Sequence, residues 1–224
     1  MTNPRPHLIR TPWDSRALGV ETYEILELSD EALAEAEGLK GHFTVRVGPQ
    51  TSRALLGAAG FYYCDTLIEP YCQAGRFLGC RDKRVALSRE VPLERLLEIC
   101  HGAFCGRFHR DFNIPRELAD RRYDLWLKDL HAEGQALGLM YEGELAGFLA
   151  HKGPALCLHA LGPRHRGRGL AKYLWTAACE PLYRGGYTEL TSSVSASNPP
   201  VVNLYASLGF RFRNPVDVYH KLVR

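Results

Sequence analysis

No apolar run in this 224-residue chain approaches the length that crosses a bilayer, and its start, MTNPRPHLIRTPWD, has no apolar signal core. A cytoplasmic protein with no membrane partner is therefore expected. Strong charge is missing too. A net charge of +3 is too mild to argue for a nucleic-acid partner, though it suits an anionic cofactor. The seven cysteines are odd in number and include no C-x-x-C pair, so a disulfide framework is not expected. Cys64, Cys72 and Cys80 recur at regular spacing, but no histidines pair with them at metal spacing. No metal is expected, and reduced thiols fit an intracellular chain. Neither G-x-x-x-x-G-K-S/T nor G-x-G-x-x-G occurs, which excludes a P-loop and a dinucleotide fingerprint. No cysteine sits in a recognisable nucleophile setting beside a base, which argues against an acyl-enzyme.

What is present is ordinary in bulk and specific in detail. With 46% hydrophobic and 24% charged residues, the chain can bury the core of one large domain or two small ones. The specific stretch is ALCLHALGPRHRGRGLAKYLWTAACEPLY, Ala155 to Tyr183. Its apolar opening, Leu156 to Leu161, predicts a strand that breaks at Gly162-Pro163. Arg164-His165-Arg166-Gly167-Arg168-Gly169 follows, and then Leu170, Tyr173, Leu174, Ala177 and Ala178 recur at helical spacing. A strand feeding a glycine-bearing turn feeding a helix suits a phosphate. Glycine lets the anion approach the backbone, and the unpaired N–H groups of the first helical turn face it. Three arginines add positive charge at the same place. Further on, Glu189 to Ser195 reads as a polar-faced strand. Asn198 is a suitable N-cap, Pro199 suits the first helical turn, and Gly209 ends a short helix.

These two segments resemble two motifs of the GNAT superfamily of acyl-CoA-dependent N-acyltransferases. Arg164, Gly167 and Gly169 fall on its pyrophosphate-binding pattern, R/Q-x-x-G-x-G/A. Asn198, Val201, Leu204, Tyr205, Gly209 and Phe210 fall on N-x-x-A-x-x-L-Y-x-x-x-G-F, with valine replacing the usual alanine. The resemblance implies an α/β fold with a mixed sheet, and acetyl-CoA as cofactor. It implies that the backbone of Arg166, Gly167, Arg168, Gly169 and Leu170 holds the pyrophosphate, with Arg164 beside it. Ala160 and Leu161 would run along the pantetheine, and the sheet would splay between their strand and Leu190 to Val194. Asn198, Asn203 and Tyr205 would complete the cofactor contacts.

The first eighty residues read differently. Ser29 to Leu39 predicts a helix, Phe43 to Val47 a strand, Ser52 to Ala59 a short helix closed by Gly60-Phe61, and Tyr62 to Ile68 a strand. The order echoes the C-terminal motif. Laying Gly60-Phe61 on Gly209-Phe210 sets Leu55 opposite Leu204 and Leu56 opposite Tyr205. Residues 1–82 are therefore expected to form a smaller α/β unit, a truncated and non-catalytic relative of the second half, although two short units can look alike by chance. Pro70, Gly75 and Gly79 mark 69–83 as a linker. Residues 83–224 are expected to be the catalytic domain. It would comprise a strand Val85 to Ser88, helices Pro92 to Phe104 and Arg116 to His131, and a hairpin of Gln135 to Tyr141 with Glu144 to His151. With the later elements, this is the GNAT order.

Acetyl transfer from a thioester to an amine needs an anchored cofactor, a polarised carbonyl, a deprotonated amine and a protonated leaving thiolate. By family resemblance Tyr205 is the expected acid, and an ordinary phenol pKa of ~10 would keep it protonated. It is also readable as a packed helix tyrosine. For the base, His159 lies on the cofactor strand, with Cys157 and Leu161 expected on its face. Glu90 and a water relay are rivals, and His159 is also readable as a core residue. Arg107, Phe108, His109 and Asp111, in the loop Cys105 to Pro115, suit a phosphorylated, ring-bearing acceptor through charge and stacking. The alternative is a solvated connector with Phe108 buried. Trp13 to Ser15, Gly60-Phe61, Ala103 to Pro115, Ala119, Tyr123 and Trp126 resemble the dTDP-fucosamine acetyltransferase group, apart from the extra Cys105 and Gly106. That narrower resemblance implies acetylation of the 4-amino group of a nucleotide-linked deoxyaminosugar. Another small amine, or an acyl-CoA-binding module without catalysis, stays open. An exposed strand edge in the N-terminal unit would favour a homodimer.

Overall fold

A computed structural model describes residues 7–224, which form two compact units. The first holds residues up to Leu67 together with Cys105–Arg122 and Pro215–Arg224, and the second holds Ile68–Phe104 and Tyr123–Asn214. Neither is contiguous, so a single division at 82/83 does not describe them.

In the first unit, β1 (Leu8–Arg10), α1 (Pro12–Leu18), β2 (Thr22–Ile25), α2 (Asp30–Glu37), β3 (Gly41–Val47) and α3 (Arg53–Ala58) precede the start of β4 (Tyr62–Gln73). The end of β11 (Arg211–Val223) joins their sheet in the order β1-β2-β3-β11. The β2–β3 pair is parallel, with α2 as its crossover, and the other two pairs are antiparallel. Ser29 caps α2 by accepting from the Ala32 N–H, and Ala32, Leu33 and Ala36 turn inward. They meet Tyr23 and Phe43, stacked at 5.2 Å between centroids, with Val45, Leu56 and Tyr219 in the same core.

The second unit begins with the rest of β4, which continues through Gln73 where the sequence suggested a linker. Tyr71, Cys72 and Gln73 pair with β9 (Glu189–Ser192). Then come β5 (Val85–Ser88), α4 (Leu93–Cys100), the later part of α5 (Arg116–Ala132), β6 (Ala136–Tyr141), β7 (Glu144–Lys152) and β8 (Ala155–Leu161). Helix α4 stops short of the expected Phe104. α6 (Ala171–Arg184), β9, β10 (Val194–Ser195) and α7 (Pro199–Ser207) follow. The expected single strand Glu189 to Ser195 breaks at Ser193, and β10 pairs with β4 instead. The sheet runs β4-β9-β8-β7-β6-β5 and is antiparallel except between β8 and β9. One face packs on α6 and α7 through Leu149, Leu156, Leu174, Ala178 and Leu208, and the other on α4 and α5 through Phe148, Leu158, Leu96 and Leu127.

A bulge sets which β8 side chains face α6. Ala150 pairs with Leu158 and His151 with Leu156, leaving Cys157 as an extra residue on β8. Past the bulge the faces exchange. His159 and Leu161 therefore join Leu156 on the α6 side, while Cys157 packs with Leu158 on the other, so Cys157 does not share the expected face with His159.

The echo between the units has a geometric counterpart. After α3, Gly60 takes φ 77° and the Phe61 N–H donates to the Leu56 carbonyl at 2.9 Å. After α7, Gly209 takes φ 86° and the Phe210 N–H donates to the Tyr205 carbonyl at 3.1 Å. Both are glycine-closed helix ends. Leu56 and Tyr205 occupy the matched, fully buried position.

Candidate active site

The turn after β8 is built to receive an anion. Gly167 and Gly169 take φ 71° and 70°, and a Cβ added at either would meet nothing within 4 Å. The backbone N–H groups of Gly167, Arg168, Gly169 and Leu170 take no hydrogen-bond partner among the described residues. Arg164, Arg166 and Arg168 are exposed around them. Arg166 Nε donates at 2.7 Å to the Leu161 carbonyl and so ties the turn to the end of β8. Beside the turn lies a cleft of about 640 Å³ lined by Arg84, Tyr141, Arg168, Lys172, Tyr173 and Asn203, among others. Arg84 and Arg168 both sit over the Tyr141 ring, at 5.0 and 5.9 Å from its centroid.

Deeper in, the sheet opens. β8 and β9 pair only at Ala155↔Thr191 and Leu156↔Ser192, and then part. At the last pair the Ser192 hydroxyl donates to the Leu156 carbonyl at 2.8 Å. Beyond it, His159 Nε2 lies 2.8 Å from the Tyr205 hydroxyl. α7 delivers Tyr205 here because Asn198 caps it, accepting from the Val201 N–H at 3.4 Å. That cap occupies the Asn198 side-chain oxygen. Burial pushes the Tyr205 phenol well above its ordinary pKa of ~10, so the group stays protonated more firmly than the sequence suggested. Burial also lowers His159 to about 4, against a smaller opposing backbone hydrogen bond. His159 is thus neutral at pH 7. Trp175, on α6, meets His159 edge-on at 5.0 Å between centroids. In the sequence Trp175 reads as one more apolar residue of its helix. The available signal was its indole N–H, which needs a partner when buried.

The other expected residues are placed elsewhere. Glu90 is exposed beyond β5, and its strand register runs Ser88–Gly138–Phe148–Ala160. Three strand spacings put Ser88, the last residue of β5, about 14 Å from Ala160. The acceptor candidates lie in the first unit. Phe108 is buried against Leu18 and Ala119, and His109 Nε2 pairs with Asp120 at 2.8 Å. Arg107, at φ 43°, donates its N–H to Asp65 at 3.0 Å. Asp111 is fully enclosed. His42 Nε2 and His220 Nδ1 both meet its Oδ2, at 2.9 and 2.8 Å, and the Tyr62 hydroxyl donates to Oδ1 at 2.8 Å. Phe108, His109 and Asp111 therefore hold the loop together. The histidine–aspartate contacts are direct hydrogen bonds. They are shorter than the roughly 3.3 Å that two ligands at ~2.0 Å would set around a tetrahedral zinc. Among the described residues no helix is long and apolar enough to cross a membrane.

Residues 102–210 match the family model described as Acetyltransferase (GNAT) family. No curated protein matches the chain. Among solved structures, a tandem GNAT protein from the clavulanic acid biosynthesis pathway is similar at TM-score 0.56 and 14% identity, over 90% of this chain and 75% of that one. A GCN5-related N-acetyltransferase from Sphaerobacter thermophilus gives TM-score 0.56 and 15% identity, over 87% and 65%. A functionally unknown conserved protein from Staphylococcus epidermidis gives TM-score 0.65 and 10% identity, over 94% and 89%. At such identities the likeness is one of fold. The span that matches the family model contains both the glycine-bearing turn after β8 and Tyr205.

Proposed function

We propose that the chain transfers an acetyl group from acetyl-CoA to a primary amine by direct attack in a ternary complex. The observation that carries this reading is the parting of β8 and β9 beside a protonated, buried Tyr205. The residues fit the cofactor. Four unpartnered N–H groups and the surrounding arginines would hold the pyrophosphate, as at other helix N-termini. Lys172, Asn203 and Tyr141 line the cleft that would take the rest of the nucleotide. Ala160 and Leu161 lie past the last β8–β9 pair, where backbone groups are free of β9 and would meet the pantetheine. When bound, acetyl-CoA supplies the activated acyl group.

Tyr205 protonates the departing sulfur. His159 orients it through the 2.8 Å contact between its Nε2 and the phenol hydroxyl. A pKa of about 4 makes His159 a weak acceptor for an ammonium proton. The amine proton leaves through water. The nucleotide-linked aminosugar implied by the narrower resemblance loses its physical support with the burial of Phe108, His109 and Asp111. The acceptor is therefore stated as a primary amine. A thiol-release assay with acetyl-CoA against nucleotide-linked aminosugars, simple aminosugars, amino acids and polyamines tests both levels. Turnover on any amine, lost in Tyr205→Phe, supports the reaction, and the preferred amine names the acceptor. Binding of CoA with no turnover on any amine would replace the enzyme by a binding module.

A further inference from the structure

Trp175 is 2% exposed, and its Nε1–H is buried with no acceptor. A buried indole normally finds a partner, so an unmade bond of this kind calls for a reason. Its surroundings offer one. The Trp175 ring meets His159 edge-on, and His159 holds the Tyr205 hydroxyl at 2.8 Å. Tyr205 itself is fully buried, with Phe210 against its ring at 4.9 Å.

The chemistry proposed above leaves a charge in that pocket. The amine nitrogen bonds to the thioester carbon, the C–S bond breaks with its electron pair on sulfur, and the Tyr205 proton goes to that sulfur. A phenolate remains until the proton lost by nitrogen restores it through water. A buried phenolate left unpaired is strongly disfavoured. The Ser192 hydroxyl is committed to the Leu156 carbonyl at 2.8 Å, and His159 supplies one donor at most from Nε2. The uncommitted donor is the indole.

We propose that Trp175 is a positioning residue acting through Tyr205, its N–H kept unpaired at rest and closing on the phenol oxygen as negative charge develops there. The inference rests on the acetyl-transfer reading. Burial, the largest effect, raises the Tyr205 pKa, and Ser192 and Trp175 act in the opposite direction.

A double-mutant cycle tests it. Trp175→Phe is expected to lower kcat about ten-fold or more, as for a hydrogen bond to a charged group, with KM for acetyl-CoA within about two-fold. In a Tyr205→Phe background the same change should cost almost nothing further. Replacing Trp175 with benzothienylalanine keeps the ring shape and removes only the N–H, so it separates the donor from packing. Additive losses across the cycle, or full activity with benzothienylalanine, would overturn the proposal. An unchanged kcat in Tyr205→Phe alone would instead overturn the acid role on which it rests. A readout independent of turnover uses difluorotyrosine at position 205, titrated by phenolate absorbance. Trp175→Phe should raise its pKa by about one pH unit, and no change would overturn the proposal.

Discussion

His159 and His220 are held neutral far below the pH at which free histidines charge. Burial lowers them to about 4 and about 3, the second despite its bond to Asp111. In the unfolded chain both would titrate near ~6.5. Between these values the unfolded state binds more protons than the native state, so stability rises with pH. It is complete above about pH 6.5 and is lost as pH falls towards 4 and 3. Asp111 adds to the acid side. Burial pushes its carboxyl up, but hydrogen bonds from His220, His42 and the Asn113 N–H win and hold it well below the ordinary value. Its contribution is present above ~3.9 and is lost as pH falls further. Urea midpoints at pH 7, 5.5 and 4 should therefore decrease, as the unfolding free energy falls by at most about 1.4 kcal/mol per pH unit for each histidine. A constant midpoint would contradict two buried neutral imidazoles. Tyr205→Phe, by contrast, should act on rate. We expect kcat to fall roughly hundred-fold with acetyl-CoA binding intact, read by steady-state thiol release and by calorimetric titration with CoA.

Among the elements, two glycine-dependent turns should respond differently to the same substitution. Gly167→Ala and Gly169→Ala place a methyl in open space, so each costs only about 1–2 kcal/mol for the left-handed backbone. Their main effect should be a raised Kd for CoA, measured by calorimetry. Gly209→Ala drives a methyl into the Arg76 carbonyl oxygen at positive φ and should cost roughly 3 kcal/mol or more in urea unfolding. Equal stabilities for the three variants would contradict this geometry. These turns are legible in the sequence because their signals are local: glycines, arginines and a capping asparagine within one or two helical turns. The bulge at Cys157 is not, since many residue types fit a bulge and its consequence depends on pairing with β7. Asp111 misleads for a related reason. A loop of charges and aromatics reads as one that meets an acceptor, and the partners that bury Asp111, His42 and His220, stand 69 and 109 residues away in the chain. Trp175 needs the split between β8 and β9 before its lone donor acquires meaning.

For the molecule as a whole, the division into units departs from chain order. The first unit takes its last strand from β11, which pairs with β3 from Val47↔Asp217 to Gly41↔Val223. Tyr219 sits in that unit's core, and His220 closes the network on Asp111. Deleting Pro215–Arg224 should therefore unfold the first unit, seen as fast amide hydrogen exchange across β2 and β3. Protection that survives the deletion would show that β1, β2 and β3 hold without it. The same arrangement bears on how the protein is made. Domains commonly fold from the N-terminus as the chain emerges from the ribosome. Here β3 must wait for β11, which is translated after β4 to β10, so a message terminated before β11 would release a first unit with β3 unpaired on one side, open to chaperones and to proteolysis.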